Sequence, residues 1–264
     1  MDEDHSLQGQ VALVTGGGVG IGRAIAQALV GQQARVAICG RRVEELERTA
    51  GDFTQAGGEV LSLQCDVTQR VDVENTIKTV IKKFGRLDIL VNNAGASGRT
   101  SIHDPDDSKW QNILQVNLTG SYLCSKFAVP HMLTHHHGRI VNISSVLGRF
   151  GVAGYLAYCT AKHGILGFTK ALALEVASQG VTVNAICPTW VDTAMARQGI
   201  EETAVSLGVS PEKFREIAIS TIPVKRMAEA DEVASVVLYL CSHAARAITG
   251  QALNVCGGAT AGTA

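Results

Sequence analysis

The chain has 264 residues, of which 46% are hydrophobic and 18% charged, with a net charge of −1 at pH 7. That length suits one large α/β domain, and that composition buries a sizeable core, which excludes a disordered chain. The balanced charge offers no basic field for nucleic acid or an anionic membrane, and no run approaches the roughly 20 apolar residues of a membrane span.

The N-terminus reads MDEDHS, acidic where a secretory signal would be basic and then apolar. Cys39, Cys65, Cys124, Cys159, Cys187, Cys241 and Cys256 are scattered, mostly in apolar runs, with no Cys-x-x-Cys. There Cys behaves as a small hydrophobe, which suits a reducing cytoplasm and no metal site.

Val11 to Val14 is a short apolar run ending in Thr15-Gly16-Gly17-Gly18-Val19-Gly20-Ile21-Gly22, and a helical segment follows from Arg23 to Val30. Strand, glycine turn and helix start form the context in which a loop cradles a pyrophosphate. Glycine lets the backbone approach the phosphate, and the helix start supplies free N–H groups. Gly16, Gly18, Val19, Gly20, Ile21 and Gly22 are the candidate cradle. Arg35 to Cys39 is a second strand. In dinucleotide folds an acidic residue near this strand's end holds the ribose 2′-OH. Here Gly40 stands there, followed by Arg41 and Arg42, whose guanidinium forks match a 2′-phosphate. This favours NADP over NAD. The competing reading is that both arginines solvate a helix start, paired by Glu44 and Glu45.

Val43 to Ala56 reads as a helix. Val60 to Gln64 reads as a strand that leads into Cys65-Asp66-Val67. Val71 to Phe84 is helical with Gly85 as its stop. Leu87 to Val91 is a fourth strand, running into Asn92-Asn93-Ala94-Gly95. Ser108 to Met132 is one long amphipathic segment with Asn117 at its middle, a polar residue that needs a partner. His135-His136-His137 precede Gly138; three consecutive side chains diverge, so the segment reads as a surface turn rather than a metal site.

Ile140 to Ile143 is an apolar strand. It passes Ser144 and Ser145 into a Gly-rich loop that ends on Tyr158-Cys159-Thr160-Ala161-Lys162. On a helix, residues four apart lie about 40° from each other around the axis, one turn up. A free phenol has a pKa of about 10, and a neighbouring ammonium favours the phenolate. Tyr158 with Lys162 is therefore a candidate proton-transfer pair, and Ser145 is placed to hold a substrate oxygen. A long helix runs from Tyr158 to Ser178, and Val181 to Cys187 is a sixth strand ending at Pro188-Thr189-Trp190. Residues 194 to 222 read as polar and irregular, with a short helix over Pro211 to Ala218; a long break of this kind is often a lid. Ala230 to Cys241 is helical, and Ala252 to Val255 is a last strand.

Strands and helices alternate throughout, so the sheet should be parallel and doubly wound, with its ligand outside the carboxyl ends of the strands. The Gly loop, Asp66, Asn93, Ser145 and Pro188 all fall at such ends.

With Thr15-Gly-x-x-x-Gly20-x-Gly22, Asn92-Asn-Ala-Gly95, Ser145 and Tyr158-x-x-x-Lys162 in this order, the sequence resembles the short-chain dehydrogenase/reductase family from Gln10 to Gly258. The resemblance implies one Rossmann-type domain over residues 1–264, with a seven-stranded parallel sheet, residues 194–222 as a substrate lid, and a nicotinamide cofactor. It implies that Tyr158 is the general acid in reduction and that Lys162 lowers its pKa and holds the nicotinamide ribose. Ser145 would bind the substrate oxygen, and Asn117 would anchor a water linking Lys162 to solvent. Gly16, Gly20 and Gly22 would line the pyrophosphate, Asp66 and Val67 the adenine, and Asn93, Ala94 and Gly95 the adenosine ribose side. Pro188, Val191 and Thr193 would face the nicotinamide end. Thr189 departs from the glycine frequent at that place in the family, and Arg99 stands in the loop after Asn-Ala-Gly where glycine is expected.

Within the family, Cys39-Gly-Arg41, Ala161-Lys-His-Gly164 and Ala252-Leu-Asn-Val-Cys-Gly-Gly258 resemble the 3-oxoacyl carrier-protein reductases, above all the aromatic-polyketide ketoreductases, which use NADPH. Ser97, Leu147, Tyr155, Trp190 and Met195 are the candidate substrate residues, and most of them suit a bulky ketone. The alternatives are a dehydrogenase of a small secondary alcohol or hydroxy acid, similar to 3-hydroxybutyrate dehydrogenases, and a non-catalytic dinucleotide-binding regulator. Intact Ser145, Tyr158, Lys162 and Asn117 argue against the last. The residues leave open whether the substrate is free or carried by an acyl carrier protein. The resemblance also implies a cytoplasmic homotetramer built on the helices that begin near Ser108 and Tyr158.

Overall fold

Seven strands form one parallel sheet in the order β3-β2-β1-β4-β5-β6-β7. They are β1 (Val11–Thr15), β2 (Arg35–Gly40), β3 (Val60–Gln64), β4 (Ile89–Asn92), β5 (Gly138–Ile143), β6 (Val181–Pro188) and β7 (Ala252–Val255). The computed structural model describes residues 7–262, so the acidic MDEDHS segment and the last two residues of the expected 1–264 domain lie outside it.

β1, β4, β5 and β6 are buried along their whole lengths, as expected for strands covered on both faces. Successive side chains point to opposite faces. Val14, Ile38, Val91, Val141 and Ile186 pack on one side against α1 (Gly20–Gly31), α2 (Val43–Gln55) and α9 (Ala230–Cys241). Leu13, Ala37, Leu90, Ile140 and Val183 pack on the other, against α3 (Arg70–Phe84), α5 (Gly120–Thr134) and α6 (Leu156–Val176). The two cores sandwich one sheet in a single domain. The strand order reverses between β1 and β4, and the crevice at such a reversal is where open α/β sheets bind ligands. No helix among the described residues is long and apolar enough to cross a membrane.

Two stretches differ from the sequence reading. The segment read as one helix over Ser108–Met132 is α4 (Ser108–Leu114), a π-turn over Gln115–Thr119 and then α5. The extra residue in the π-turn places Asn117 in the interior, where it is 1% exposed. Residues 194 to 222, read as mostly irregular, hold two helices, α7 (Ala194–Leu207) and α8 (Pro211–Ser220). The Thr193 hydroxyl caps α7 by accepting the Ala196 N–H at 3.3 Å, and Gly208 ends it in the left-handed conformation. Ala196, Ile200, Thr203 and Ala204 form its buried stripe at helical spacing. His135 to His137 lie in the turn between α5 and β5, with His137 Nε2 3.4 Å from Gln10 Oε1.

Candidate active site

The glycine loop leaves β1 and enters α1 at the sheet's reversal point. Gly16 and Gly20 hold left-handed φ values of 65° and 54°. A methyl group on Gly22 would lie 2.2 Å from the Gly16 carbonyl oxygen, so the loop folds onto its own helix. The N-cap of α1 is Val19, which supplies no side-chain cap, and the first turn carries no acidic residue. The free N–H groups there are a ready anion site. Thr15 ties this loop to the next strand: its hydroxyl oxygen accepts the Asn93 and Ala94 N–H groups at 3.0 and 2.9 Å. The Asn93 side-chain amide donates back to the carbonyls of Thr15 (2.9 Å) and Gly16 (3.2 Å).

Arg41 lines a cleft of about 490 Å³ with Leu63, Gln64, Asp66, Asp72, Asn75, Thr76 and Thr79. Glu45 pairs with Arg48 rather than with Arg41 or Arg42. Among the described residues neither Arg41 nor Arg42 has an ion-pair partner, and Arg42 is the N-cap of α2. Asp66 accepts the Thr68 N–H and hydroxyl at 2.9 and 2.8 Å, and Val67 packs against Gly120. The uncapped helix start, the glycine cradle and an unpaired arginine in the adjoining cleft fit a phosphorylated dinucleotide.

Ser145 follows β5 and caps a 3-10 turn over Val146–Gly148, its oxygen accepting the Leu147 N–H at 3.1 Å. Gly148 lets this turn lie on α6, since a methyl there would sit 2.7 Å from the Lys162 carbonyl oxygen. The contact brings Ser145 and Tyr158 side by side, close enough for the Ser145 hydroxyl to act on the phenol's proton equilibrium. Burial pushes the Tyr158 phenol up to about 12, against the lowering effect of the Ser145 hydroxyl. Lys162 is 5% exposed, and burial brings its ammonium down to about 8. Its Nζ donates to the Ile143 carbonyl at 2.8 Å and lies 5.4 Å from the centre of the Tyr158 ring. The ammonium therefore faces the ring, and burial sets the direction of the phenol's shift.

Asn117 donates to the carbonyls of Ala96 (2.7 Å) and Ile113 (2.8 Å), leaving its buried Oδ1 without a protein partner. A methyl on Gly95 would meet that Oδ1 at 3.0 Å and Lys162 Nζ at 3.9 Å. Gly95 thus keeps open the gap between the two, and the unfilled acceptor points to a bridging polar group such as water. Beneath the site a chain of buried amides crosses the sheet. Asn92 donates to Asn142 Oδ1 (2.8 Å) and Ser125 (3.1 Å), and Asn142 donates to Thr169 on α6 (2.9 Å).

At the carboxyl end of β6, Pro188 closes the strand, Val191 is buried and bridges Ala228, and the Thr193 methyl faces Gly20 across the crevice. Thr189 donates its N–H to the Val255 carbonyl at 3.1 Å, tying the end of β6 to β7. The candidate substrate residues separate. Tyr155 and Trp190 meet α7 from two sides: a methyl on Gly199 would lie 3.4 Å from the Trp190 ring and 3.8 Å from the Tyr155 hydroxyl. The Tyr155 hydroxyl is 2.9 Å from Thr203 Oγ1, which itself donates to the Gly199 carbonyl at 2.7 Å. Trp190 also packs edge-on against Phe214 of α8. Leu147 and Ser97 are half-buried in their loops, and Met195 is 46% exposed on the first turn of α7.

The sequence reading missed Thr15 as the loop's anchor, although a hydroxyl residue directly after an apolar strand was visible. It also missed Thr203, Gly199 and Glu202. Arg99 stacks over the Tyr155 ring, 5.6 Å from its centre, and its backbone N–H donates to Glu202 at 3.3 Å. Only the helical spacing of Ile200, Thr203 and Ala204 signalled a buried face there.

A doubly wound sheet with a glycine cradle at its reversal point and a Ser-Tyr-Lys cluster beside it defines a dinucleotide-dependent oxidoreductase. The chain belongs to the short-chain dehydrogenase family, whose model matches residues 10–204, and it acts on CH–OH or C=O groups. It is 41% identical over 251 residues to a Streptomyces coelicolor protein that carries the provisional name ketoacyl reductase, covering 94% of this chain and 96% of that one. It is 37% identical over 253 residues to the 3-oxoacyl-[acyl-carrier-protein] reductase of Salmonella typhimurium, covering 96% and 98%. A crystal structure of a variant of the actinorhodin polyketide ketoreductase with NADPH superposes with a TM-score of 0.92 at 40% identity, covering 98% of this chain and 99% of that one.

Proposed function

We propose that this protein is an NADPH-dependent ketoreductase acting on a polyketide, 3-oxoacyl or similarly bulky ketone. The observation that carries this reading is the gathering of Ser145, Tyr158 and a buried Lys162 at the carboxyl ends of the strands, with an unpaired Arg41 lining the cleft beside β3.

The cradle would hold a reduced nicotinamide dinucleotide, whose chemistry there would be donation of a hydride to a carbonyl carbon. Ser145 and Tyr158 hold the carbonyl oxygen with two hydroxyl donors as negative charge grows on it. Burial keeps the Tyr158 phenol protonated at neutral pH, so it has a proton to give to that oxygen. Lys162 holds positive charge below the site and orients the nicotinamide ribose, and Asn117 Oδ1 anchors the water that resupplies the proton. Arg41 binds the 2′-phosphate, with Arg42 beside it at the start of α2. Asp66 and Val67 flank the adenine.

Residues 194–222 act as the lid. With the Tyr155 hydroxyl occupied by Thr203, the wall that Tyr155, Trp190 and Leu147 give the cleft is apolar, which suits a bulky ring or acyl chain. Tyr122 on α5 and Leu174 on α6 stand exposed, as large apolar side chains would on helices that a homotetramer covers. Seven free, buried cysteines suit a cytoplasmic setting.

Fluorescence titration with NADPH and NADH, followed by turnover on a panel from acetoacetyl thioesters to bicyclic ketones, tests the reading. The expected result is tight NADPH binding with turnover of thioesters or bulky ketones. Preference for NADH with turnover of small hydroxy acids alone would move the assignment to a small-alcohol dehydrogenase. Tyr158→Phe should abolish turnover and keep NADPH binding; retained turnover would remove Tyr158 from the acid role.

A further inference from the structure

Thr54, Thr79, Thr160 and Thr169 each donate their hydroxyl to the carbonyl four residues back in their own helix, at 2.8 Å. Thr49 of α2 does otherwise. Its hydroxyl crosses to the glycine loop and donates to the Gly18 carbonyl at 2.9 Å. Thr49 is fully buried, in a stripe with Leu46 and Phe53. A hydroxyl at such a place costs stability unless it is hydrogen-bonded, and the Gly18 carbonyl is the acceptor that satisfies it.

Gly18 itself rests on α2. A methyl on it would sit 3.3 Å from the Glu45 carbonyl carbon and from a Leu46 methyl. Glu45, Leu46 and Thr49 share one face of the helix, so the contact and the hydrogen bond come from the same side. The Gly18–Val19 peptide is trans, and in a trans peptide the N–H points opposite to the carbonyl. With the carbonyl held on α2, the Val19 N–H points away from that helix. There the loop opens from buried Gly18 to half-buried Val19 and exposed Gly20. Among the described residues no protein group accepts the Val19 N–H, which stands with the uncapped N–H groups of the first turn of α1. The helix α2 also braces α1, because Asp52 pairs with Arg23 at 3.1 Å and the Arg23 guanidinium lies 5.4 Å from the centre of the Phe53 ring. Loop and helix start are thus seated on one support.

We propose that Thr49 is a positioning residue for a diphosphate group. It touches no ligand. It acts through the Gly18 carbonyl, which fixes the peptide plane that aims the Val19 N–H at the anion. That the diphosphate belongs to a dinucleotide rests on the cofactor reading above; the aim of the N–H rests on the loop alone. Without the hydrogen bond the peptide can turn, and Gly18, lacking a Cβ, does little to resist. A turned peptide presents its carbonyl oxygen, rather than its N–H, to the anion. The resulting loss is common to every ligand with a diphosphate, whereas a loss at Arg41 singles out the 2′-phosphate.

Isothermal titration calorimetry of the full-length protein and of Thr49→Val tests this with NADPH, NADH and adenosine 2′-monophosphate, which carries no diphosphate. Valine keeps the shape of the side chain and removes the donor. Affinity for NADPH and NADH should fall together by about 3- to 10-fold, the net worth of one hydrogen bond. Adenosine 2′-monophosphate should bind within about twofold of the wild-type value, and Thr49→Ser should restore both dinucleotides. Should Thr49→Val not fold, Thr49→Ala repeats the measurement with a smaller side chain. Dinucleotide affinities unchanged in the variant overturn the proposal. An equal loss for adenosine 2′-monophosphate also overturns it, since α2 as a whole would then have shifted, and so does a loss confined to NADPH. A wild-type protein that binds neither dinucleotide would overturn the cofactor reading instead. Inorganic pyrophosphate then decides the positioning by itself: it should move the Val19 amide signal in an NMR titration, with at least about threefold weaker affinity in Thr49→Val. A signal that stays still in the wild-type protein, or equal affinity in the variant, sinks the positioning role.

Discussion

Replacing Thr203 by Val removes one hydroxyl and keeps the shape of the side chain. Thr203 Oγ1 donates to Gly199, so the hydrogen in the 2.9 Å contact comes from the Tyr155 hydroxyl. In the variant that phenol loses its acceptor within a buried seam; the Gly199 carbonyl, 3.5 Å away, offers only a poor replacement. Leaving a buried donor unpaired costs about 1–3 kcal/mol, and partial rescue by Gly199 brings this to about 1–2 kcal/mol. The cost falls on the contact between α7 and α6, so the docked position of α7 should become about 5- to 30-fold less favoured. If α7 is the lid, KM for the ketone should rise by that order, while NADPH affinity changes less than twofold. Trypsin should cut sooner after Arg197, and Thr203→Ser should restore both readouts. A KM unchanged in Thr203→Val, or NADPH affinity that falls as much as ketone affinity, would refute the tether.

Arg41→Ala should weaken NADPH binding by at least tenfold and leave NADH binding nearly unchanged; equal losses by titration would remove Arg41 from the 2′-phosphate. The rate of ketone reduction should be insensitive to pH on the acid side of neutrality and fall on the alkaline side. Its inflection belongs near 8, where Lys162 loses its proton, because the Tyr158 phenol stays protonated up to about 12. A kcat/KM profile flat to pH 10 would refute that assignment. Thr15→Val strips the acceptor from the Ala94 N–H and should cost about 1–3 kcal/mol, a melting shift of about 2–12 °C by calorimetry. Thr15→Ser should recover most of it.

The strands and their order of appearance were legible because each is a short apolar run closed by a turn residue. Ala230–Cys241 and Ala252–Val255 match the structure to the residue. The cluster of Ser145, Tyr158 and Lys162 was legible as a Ser at a strand's end with a Tyr and a Lys one helical turn apart, and the structure brings the three together. The π-turn at Asn117 was not, because local periodicity does not reveal one extra residue within an otherwise helical run. The helix α7 was missed since its buried stripe sets one Ile beside two Ala and a Thr, which together carry little hydrophobic signal. The expectation that Lys162 would lower the Tyr158 phenol rested on spacing alone; burial, which acts in the opposite direction, is visible only in the fold.

The amides of Asn92 and Asn142, with Thr169, lace β4, β5 and α6 into one unit through hydrogen bonds that admit a single alignment. The helices α7 and α8 have no share in that lacing, and they meet the cleft through Tyr155, Trp190 and Arg99. On the proposed function, the molecule divides into a fixed chassis that would hold the reacting groups and a replaceable cover that would contact the ketone. For an engineer, exchanging residues 194–222 for those of a relative should change which ketone is accepted while the proton-transfer group keeps its alignment. Substitutions at Asn142 should disturb every substrate alike.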